Sequence, residues 1–239
     1  MNKWKNIWDS KTVDTIDMNK DEFEIFCKLK KADGFDVSVK DEQGYYKWFY
    51  EDAIKIFQTA EMLINDTINS LYEVGCGSGV NLFLFSNRAK EEAFCGGIDY
   101  SESLVNIAKK VVKSNDLIYG EAVNVGENIK YDMVMSDSVF QYFVNIDYAE
   151  AVLRKMLSKA NKIVYLGELH DVTMQEEWLD NRRKSMENYD AVYEGLSKTF
   201  YDKKWIEKIA AEFGKRVLFT KCENPEYWNG RFIFNCFIY

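Results

Sequence analysis

Three glycines in five residues, Gly75-Cys-Gly77-Ser-Gly79, follow the acidic Glu73 and a short apolar run. Glycines so spaced let a chain turn sharply and let a ligand approach the backbone with no Cβ in the way. A dinucleotide-binding loop would read Gly-x-Gly-x-x-Gly, with its third glycine at position 80, where this chain has Val80. A phosphate loop would continue as Gly-Lys-Ser/Thr, which is not the case. An acidic residue two places before the first glycine is also unsuited to a pyrophosphate. Glu73 near a strand end is costly to bury without a partner, and a ligand ammonium would supply one. Asp99 closes the next strand, where a carboxylate can accept hydrogen bonds from both ribose hydroxyls. The combination suits a ligand with an adenosine and an amino acid but no phosphate.

Those residues need a scaffold of alternating strands and helices, and the hydrophobic pattern supplies one. Expected strands cover 71–74, 94–98, 117–119, 131–135 and 162–167. Between them, 80–88 reads as a largely apolar helix, and Leu104, Val105, Ile107, Ala108, Val111 and Val112 mark one face of another. Asp147-x-x-Glu150 resembles a capping box opening a helix that buries Val152, Leu153, Met156 and Leu157. The C-terminal third is less regular until Asp202, a good N-cap for a helix ending at Gly214. Segments 216–219 and 231–239 then close the sheet, with Asn224-Pro225 as a turn. Strands separated by helices imply an α/β fold with a doubly wound, mostly parallel, seven-stranded sheet. The last two strands have no helix between them and should pair antiparallel. Residues 1–65 read as a helical cap or lid, and 66–239 as the ligand-binding domain. In such sheets the ligand lies beyond the carboxyl ends of the strands, where strand order reverses. S-adenosylmethionine is the common ligand that meets the chemical description.

The segment Leu71-Tyr-Glu-Val-Gly-Cys-Gly-Ser-Gly-Val80 resembles motif I of class I S-adenosylmethionine-dependent methyltransferases. Gly97-Ile-Asp99-Tyr-Ser-Glu-Ser-Leu is similar to their second motif, and Tyr131-Asp-Met-Val-Met-Ser-Asp-Ser-Val-Phe-Gln-Tyr-Phe143 to their fourth-strand motif. The resemblance covers about 70–239 and implies a Rossmann-like methyltransferase fold. It places Glu73 near the methionine end, with Gly75, Gly77 and Gly79 along the cofactor, Asp99 at the ribose and Tyr100 near adenine. Glu121-Ala122 falls where such enzymes often have Asp-Ala beside the adenine amino group, so Glu is a departure. Ser136 would sit by the cofactor at the end of the fourth strand. The opening Lys-Trp-x-x-x-Trp resembles methyltransferases of bacterial surface-saccharide biosynthesis, which suggests a saccharide or a related hydroxyl compound as acceptor.

Methyl transfer is a displacement at a sulfonium carbon, and a general base can assist a hydroxyl acceptor. His170 is the only histidine, and its ordinary pKa suits a base near neutrality; it is either that catalytic base or an exposed loop residue. Asp171 either orients the imidazole or caps the next helix. Asp137, Gln141 and Tyr142 fall where acceptors are often held. Trp4, Trp8, Tyr45, Tyr46 and Trp48 either form an acceptor pocket or pack as core. No Asn/Asp-Pro-Pro-Tyr motif follows the fourth strand.

The 31 basic and 39 acidic side chains leave a net charge of −8, a poor default for gripping nucleic acid, so a small-molecule acceptor is expected. The alternatives are a nucleic-acid or protein methyltransferase, or a non-catalytic cofactor-binding protein. No apolar run approaches the length of a membrane span and the N-terminus has no apolar signal region, so a cytoplasmic protein is expected. The five scattered cysteines support neither a metal site nor a disulfide framework.

Overall fold

Side chains alternate across the first strand, β1 (Ser70–Val74): Leu71 packs into one core cluster, while Tyr72 and Val74 pack into another. Every residue of β1 is buried, because layers cover both faces of the sheet. The computed structural model describes residues 3–11, 16–34, 41–90, 93–114, 116–196 and 198–239. In chain order the helices α1 (Lys3–Asp9), α2 (Glu22–Ala32) and α3 (Glu42–Ile64) precede β1. There follow α4 (Val80–Arg88), β2 (Phe94–Asp99), α5 (Glu102–Val111), β3 (Asp116–Tyr119), β4 (Tyr131–Asp137) and α6 (Ile146–Lys159). Then come β5 (Ala160–His170), α7 (Gln175–Ser185), α8 (Tyr189–Val192), α9 (Lys203–Glu212), β6 (Val217–Lys221) and β7 (Ile233–Ile238).

The seven strands form one sheet in the order β3-β2-β1-β4-β5-β7-β6. The first five pair in parallel, and β7 runs antiparallel between β5 and β6. From β1 the chain steps outward to β2 and β3, then returns to β4 on the other side. The order therefore reverses between β1 and β4, which puts a crevice beyond their carboxyl ends.

On one face, Phe26, Leu29, Tyr46, Ala53 and Ile56 from α2 and α3 share a cluster with Leu71, Leu82 of α4 and Met133. The boundary expected at residue 65 falls between α3 and β1, yet α2 and α3 belong to the main core of that face. On the other face, Val152, Leu153 and Met156 of α6 and Ile206 and Ile209 of α9 cover Val134, Val164 and Leu166. A third cluster, Trp178, Tyr189, Phe200 and Phe232, holds α7 and α8 over the end of the sheet. Those two helices occupy the stretch whose pattern was irregular in the sequence.

Two local expectations need correction. The N-cap of α6 is Asn145, whose Oδ1 accepts from the Tyr148 N–H at 2.8 Å; Asp147 lies inside the first turn. Strand β5 runs to His170 rather than stopping at 167, with a register shift against β7 between Leu166 and Leu169. Asp202 does cap α9, accepting from the Lys204 N–H at 2.9 Å.

Removing an N-cap costs about 1 kcal/mol. Asn145→Ala should therefore lower the unfolding free energy in urea by about that much, and Asp147→Ala by less. The reverse order would restore the capping box read from the sequence.

Candidate active site

Beyond Val74 the backbone turns back on itself: the N–H groups of Gly75 and Cys76 both donate to the Ile98 carbonyl, at 2.7 and 3.1 Å. The turn requires φ of +76° at Gly75 and +50° at Gly77, a region that side chains other than glycine rarely adopt. Space is short as well. A Cβ on Gly75 would run into Val139, and one on Gly77 would lie 2.5 Å from Asp33 Oδ1. Gly79 plays a different part: it is not in the cavity wall, and a Cβ there would meet Ala108 Cβ at 2.9 Å, so it allows α5 to approach.

Asp33 caps the C-terminus of α2 and reaches across to the glycine loop, where its Oδ1 accepts from the Ser78 N–H at 2.6 Å. The Ser78 hydroxyl lies 3.0 Å from both Asp33 Oδ2 and the Leu29 carbonyl. Burial pushes the Asp33 carboxyl up to about 7, against the pull of these bonds and of Lys30. Asp33 lies outside the sequence motifs. The signal was there, since an acidic residue at a helix C-terminus opposes the macrodipole and needs another reason to be present.

Glu73 is 2% exposed. Its Oε1 accepts from Asn81 Nδ2 at 2.7 Å, while the buried Oε2 has no partner. Burial raises its pKa far above the usual carboxylate range, and the neighbouring Asp137 and Asp33 add to the shift. Among the described residues the buried cation beside these carboxylates is Lys30, 3.8 Å from Asp137 Oδ2, with Asp33, Glu168 and Glu73 also acting on it. One ammonium thus serves four carboxylates. A ligand carrying an ammonium and a sulfonium would relieve that imbalance, and a pyrophosphate would worsen it.

Asp99 ends β2 with Oδ2 accepting from the Gly77 N–H at 2.9 Å and Oδ1 from the Ser101 N–H at 2.8 Å. These bonds fix the carboxylate at the cavity wall with further lone pairs available to ribose hydroxyls. Burial raises its pKa to about 6. Tyr100, Glu121 and Ala122 line the same cavity; Tyr148 Oη donates to Glu121 Oε2 at 3.3 Å, and Lys5 Nζ donates to the Tyr100 carbonyl at 2.5 Å. Ser136 is a correction: its hydroxyl donates to the Val74 carbonyl at 2.8 Å, tying β4 to β1 beneath the loop and away from the cavity. The wall position belongs to Ser138, whose φ of +59° turns it outward.

The cavity, about 950 Å³, continues from the glycine loop into a chamber lined by Trp4, Trp8, Tyr142, Trp178, Tyr193 and Trp228. His170 lies in this wall, but its state is opposite to that expected of a base. It is 1% exposed, its ring packs on Trp178 and Phe200 at centroid distances of 5.3 and 5.2 Å, and burial pushes its pKa down to about 3. The imidazole therefore stays neutral and takes up no proton near neutral pH. Asp171 caps the following turn, accepting from the Thr173 N–H at 2.9 Å, and pairs with Lys203.

Glu168, which no sequence motif marks, has the raised proton affinity that His170 lacks. It sits at the β5 irregularity with φ +55°, and its Oε2 accepts from Ser138 Oγ and Tyr227 Oη, both at 2.9 Å. Burial and the nearby Asp137 push its pKa up to about 7. Gln141 Nε2 lies 3.0 Å from Ser138 Oγ. No group of three or more potential metal ligands occurs among the described residues, and none of their helices is long and apolar enough to cross a membrane.

The family model of a methyltransferase domain matches residues 65–214. A peramine synthetase of Metarhizium rileyi is 27% identical over 143 residues, which are 52% of this chain and 5% of that protein. The chain spans between 1% and 44% of the length of five curated relatives it matches. The magnesium protoporphyrin IX methyltransferase of Synechocystis, solved with S-adenosylhomocysteine, superposes with a TM-score of 0.60 at 16% identity, covering 91% of this chain and 98% of that one. An amino pentose methyltransferase of Micromonospora echinaspora, solved with S-adenosylmethionine, gives 0.56 at 11% identity, covering 84% and 98%. The glycine cradle, the unpartnered Glu73 oxygen and the excess of carboxylates fit S-adenosylmethionine as cofactor. The chain belongs to the methyltransferase domain family.

Proposed function

We propose that the protein methylates a small-molecule acceptor at a hydroxyl, of a saccharide or a related metabolite, held in the aromatic chamber. The observation that carries this reading is the single cavity running from the glycine loop to Tyr142 and Trp228. Its volume, about 950 Å³, lies at the upper end of the roughly 300–1,000 Å³ usual for small-molecule sites, so cofactor and acceptor can share it. A net charge of −8 and an aromatic-lined chamber favour a small molecule over a nucleic acid.

In this reading Glu73 receives the amino group of the cofactor, and Gly75 and Gly77 let it lie against the backbone. Asp99 takes the ribose hydroxyls, and Tyr100, Glu121 and Ala122 flank the adenine. When bound, S-adenosylmethionine supplies a methyl group on a sulfonium centre, open to in-line attack. The chain supplies alignment and proton removal. Ser138 Oγ accepts the proton of the acceptor hydroxyl while passing its own to Glu168 Oε2, 2.9 Å away. Gln141 and Tyr227 hold that pair in place. Helix α1, carrying Trp4 and Trp8 into the cavity wall, acts as the lid.

Glu73→Gln and Asp99→Asn should each weaken S-adenosylmethionine binding by about tenfold or more in calorimetry, with unchanged circular dichroism. Wild-type affinity in both variants would remove the cofactor assignment from these residues. A base works deprotonated, so turnover on an acceptor identified by S-adenosylhomocysteine release should rise with pH through about 7. Glu168→Gln should cut kcat by about a hundredfold and abolish that rise, whereas His170→Phe should keep it. A pH profile lost with His170 and kept without Glu168 would return the base to the histidine.

A further inference from the structure

The two ends of the cavity carry opposite charge. Around the glycine loop stand Glu73, Asp33, Asp99 and Asp137, with Lys30 among them; at the far end stand Lys198 and Arg182, with Glu226 also in the wall. Among the described residues neither cation has a carboxylate within ion-pair distance. Both are instead held by aromatic rings. Lys198 Nζ lies 3.5 Å from the ring centre of Tyr142 and 4.6 Å from that of Trp4. The Arg182 guanidinium sits 4.9 Å from the Trp228 ring and 5.5 Å from that of Tyr193, and donates to Tyr193 Oη at 3.3 Å. Adjacent basic residues are treated differently: Arg183, next on α7, pairs with Asp190 on the outside, and Lys203 pairs with Asp171.

Two half-buried cations in one chamber repel each other, and rings offset only part of their lost hydration. We infer that Lys198 and Arg182 bind an anionic group of the acceptor, a carboxylate or a phosphate monoester, while the rings beside them take a flat apolar part of the same molecule. This rests on the reading of the chamber as the acceptor site and narrows its substrate class. Arginine and lysine suit such a group, one as a planar fork and the other as a point charge. The surroundings of Lys198 agree: burial and Arg182 push its pKa down, Glu168 opposes them without touching it, and the nearby His170 is neutral. A bound anion would reverse that shift and hold the ammonium charged. The arrangement also separates the two ligands, because a cationic cofactor is drawn to the acidic end and an anionic acceptor to the basic one.

Three probes with one ring system separate charge from shape: 2-naphthoate, 2-naphthyl phosphate and 2-naphthamide, titrated calorimetrically into protein saturated with S-adenosylhomocysteine. At least one anion should bind about tenfold or more tighter than the amide, and the tighter of the two identifies the carboxylate or phosphate source. Lys198→Met and Arg182→Met should each reduce that preference, and Lys198→Arg should retain it. Cofactor affinity should be unchanged in all variants, which separates failure of this inference from failure of the cofactor site. Equal affinity for all three probes, no binding of either anion by protein that binds cofactor, or a preference that survives in the Lys198→Met/Arg182→Met double variant would overturn it.

Discussion

A carboxylate buried at the end of the first strand is the constraint around which this molecule is organised. Glu73 sits under the glycine loop with one oxygen bonded to Asn81 and the other without a partner. A buried carboxylate with half its bonding capacity unused destabilises the fold by several kcal/mol unless it is neutralised or a ligand completes it. Its place at the β1–β4 reversal follows from topology, because that is where a doubly wound sheet opens. Its surroundings follow from the same need. Gly75 and Gly77 fold the backbone into conformations that other residues would strain, and Asp33 reaches from α2 to anchor Ser78. The N-terminal helices are therefore more than a cover: through Asp33 and Lys30 they complete the acidic end of the site.

That end is short of positive charge, and the shortage distinguishes this α/β crevice from one built for phosphates. A dinucleotide loop presents backbone N–H groups to an anion; here carboxylates crowd the same position, and burial raises the proton affinities of Glu73, Asp33 and Asp99. The far end of the cavity has the opposite character, with aromatic walls and two cations. Aromatic residues from α1, α7 and the segment before β7 converge there. Methyl transfer places few demands on protein chemistry beyond alignment, dryness and one proton path, and in the proposed reading this division of the cavity serves alignment.

Much of this was legible in the sequence because it rests on short-range signals. The glycine loop, the apolar β1 and the helix 80–88 declare themselves through spacing, and Asp202 and Gly214 bracket α9. The antiparallel end of the sheet followed from a missing crossover helix. What stayed hidden was assembled by tertiary contacts. Asp33 and Ser78 are 45 residues apart. Glu168 becomes special through a strand irregularity that no propensity marks. Ser136 faces the Val74 carbonyl, and Ser138, one residue past the end of β4, reaches the cavity wall through a positive φ. His170 carried the right chemistry in isolation, yet Trp178 and Phe200 close around it, and burial removes the basicity that its sequence position suggested. A lone histidine near a strand end says nothing about its solvent.

We propose that the unpartnered oxygen of Glu73 receives the amino group of the cofactor. Binding of S-adenosylhomocysteine and of its deaminated analogue, compared by calorimetry on the same protein, tests this most directly. The analogue should bind at least about tenfold more weakly, since it leaves the carboxylate incomplete. Equal affinity for the two would contradict it.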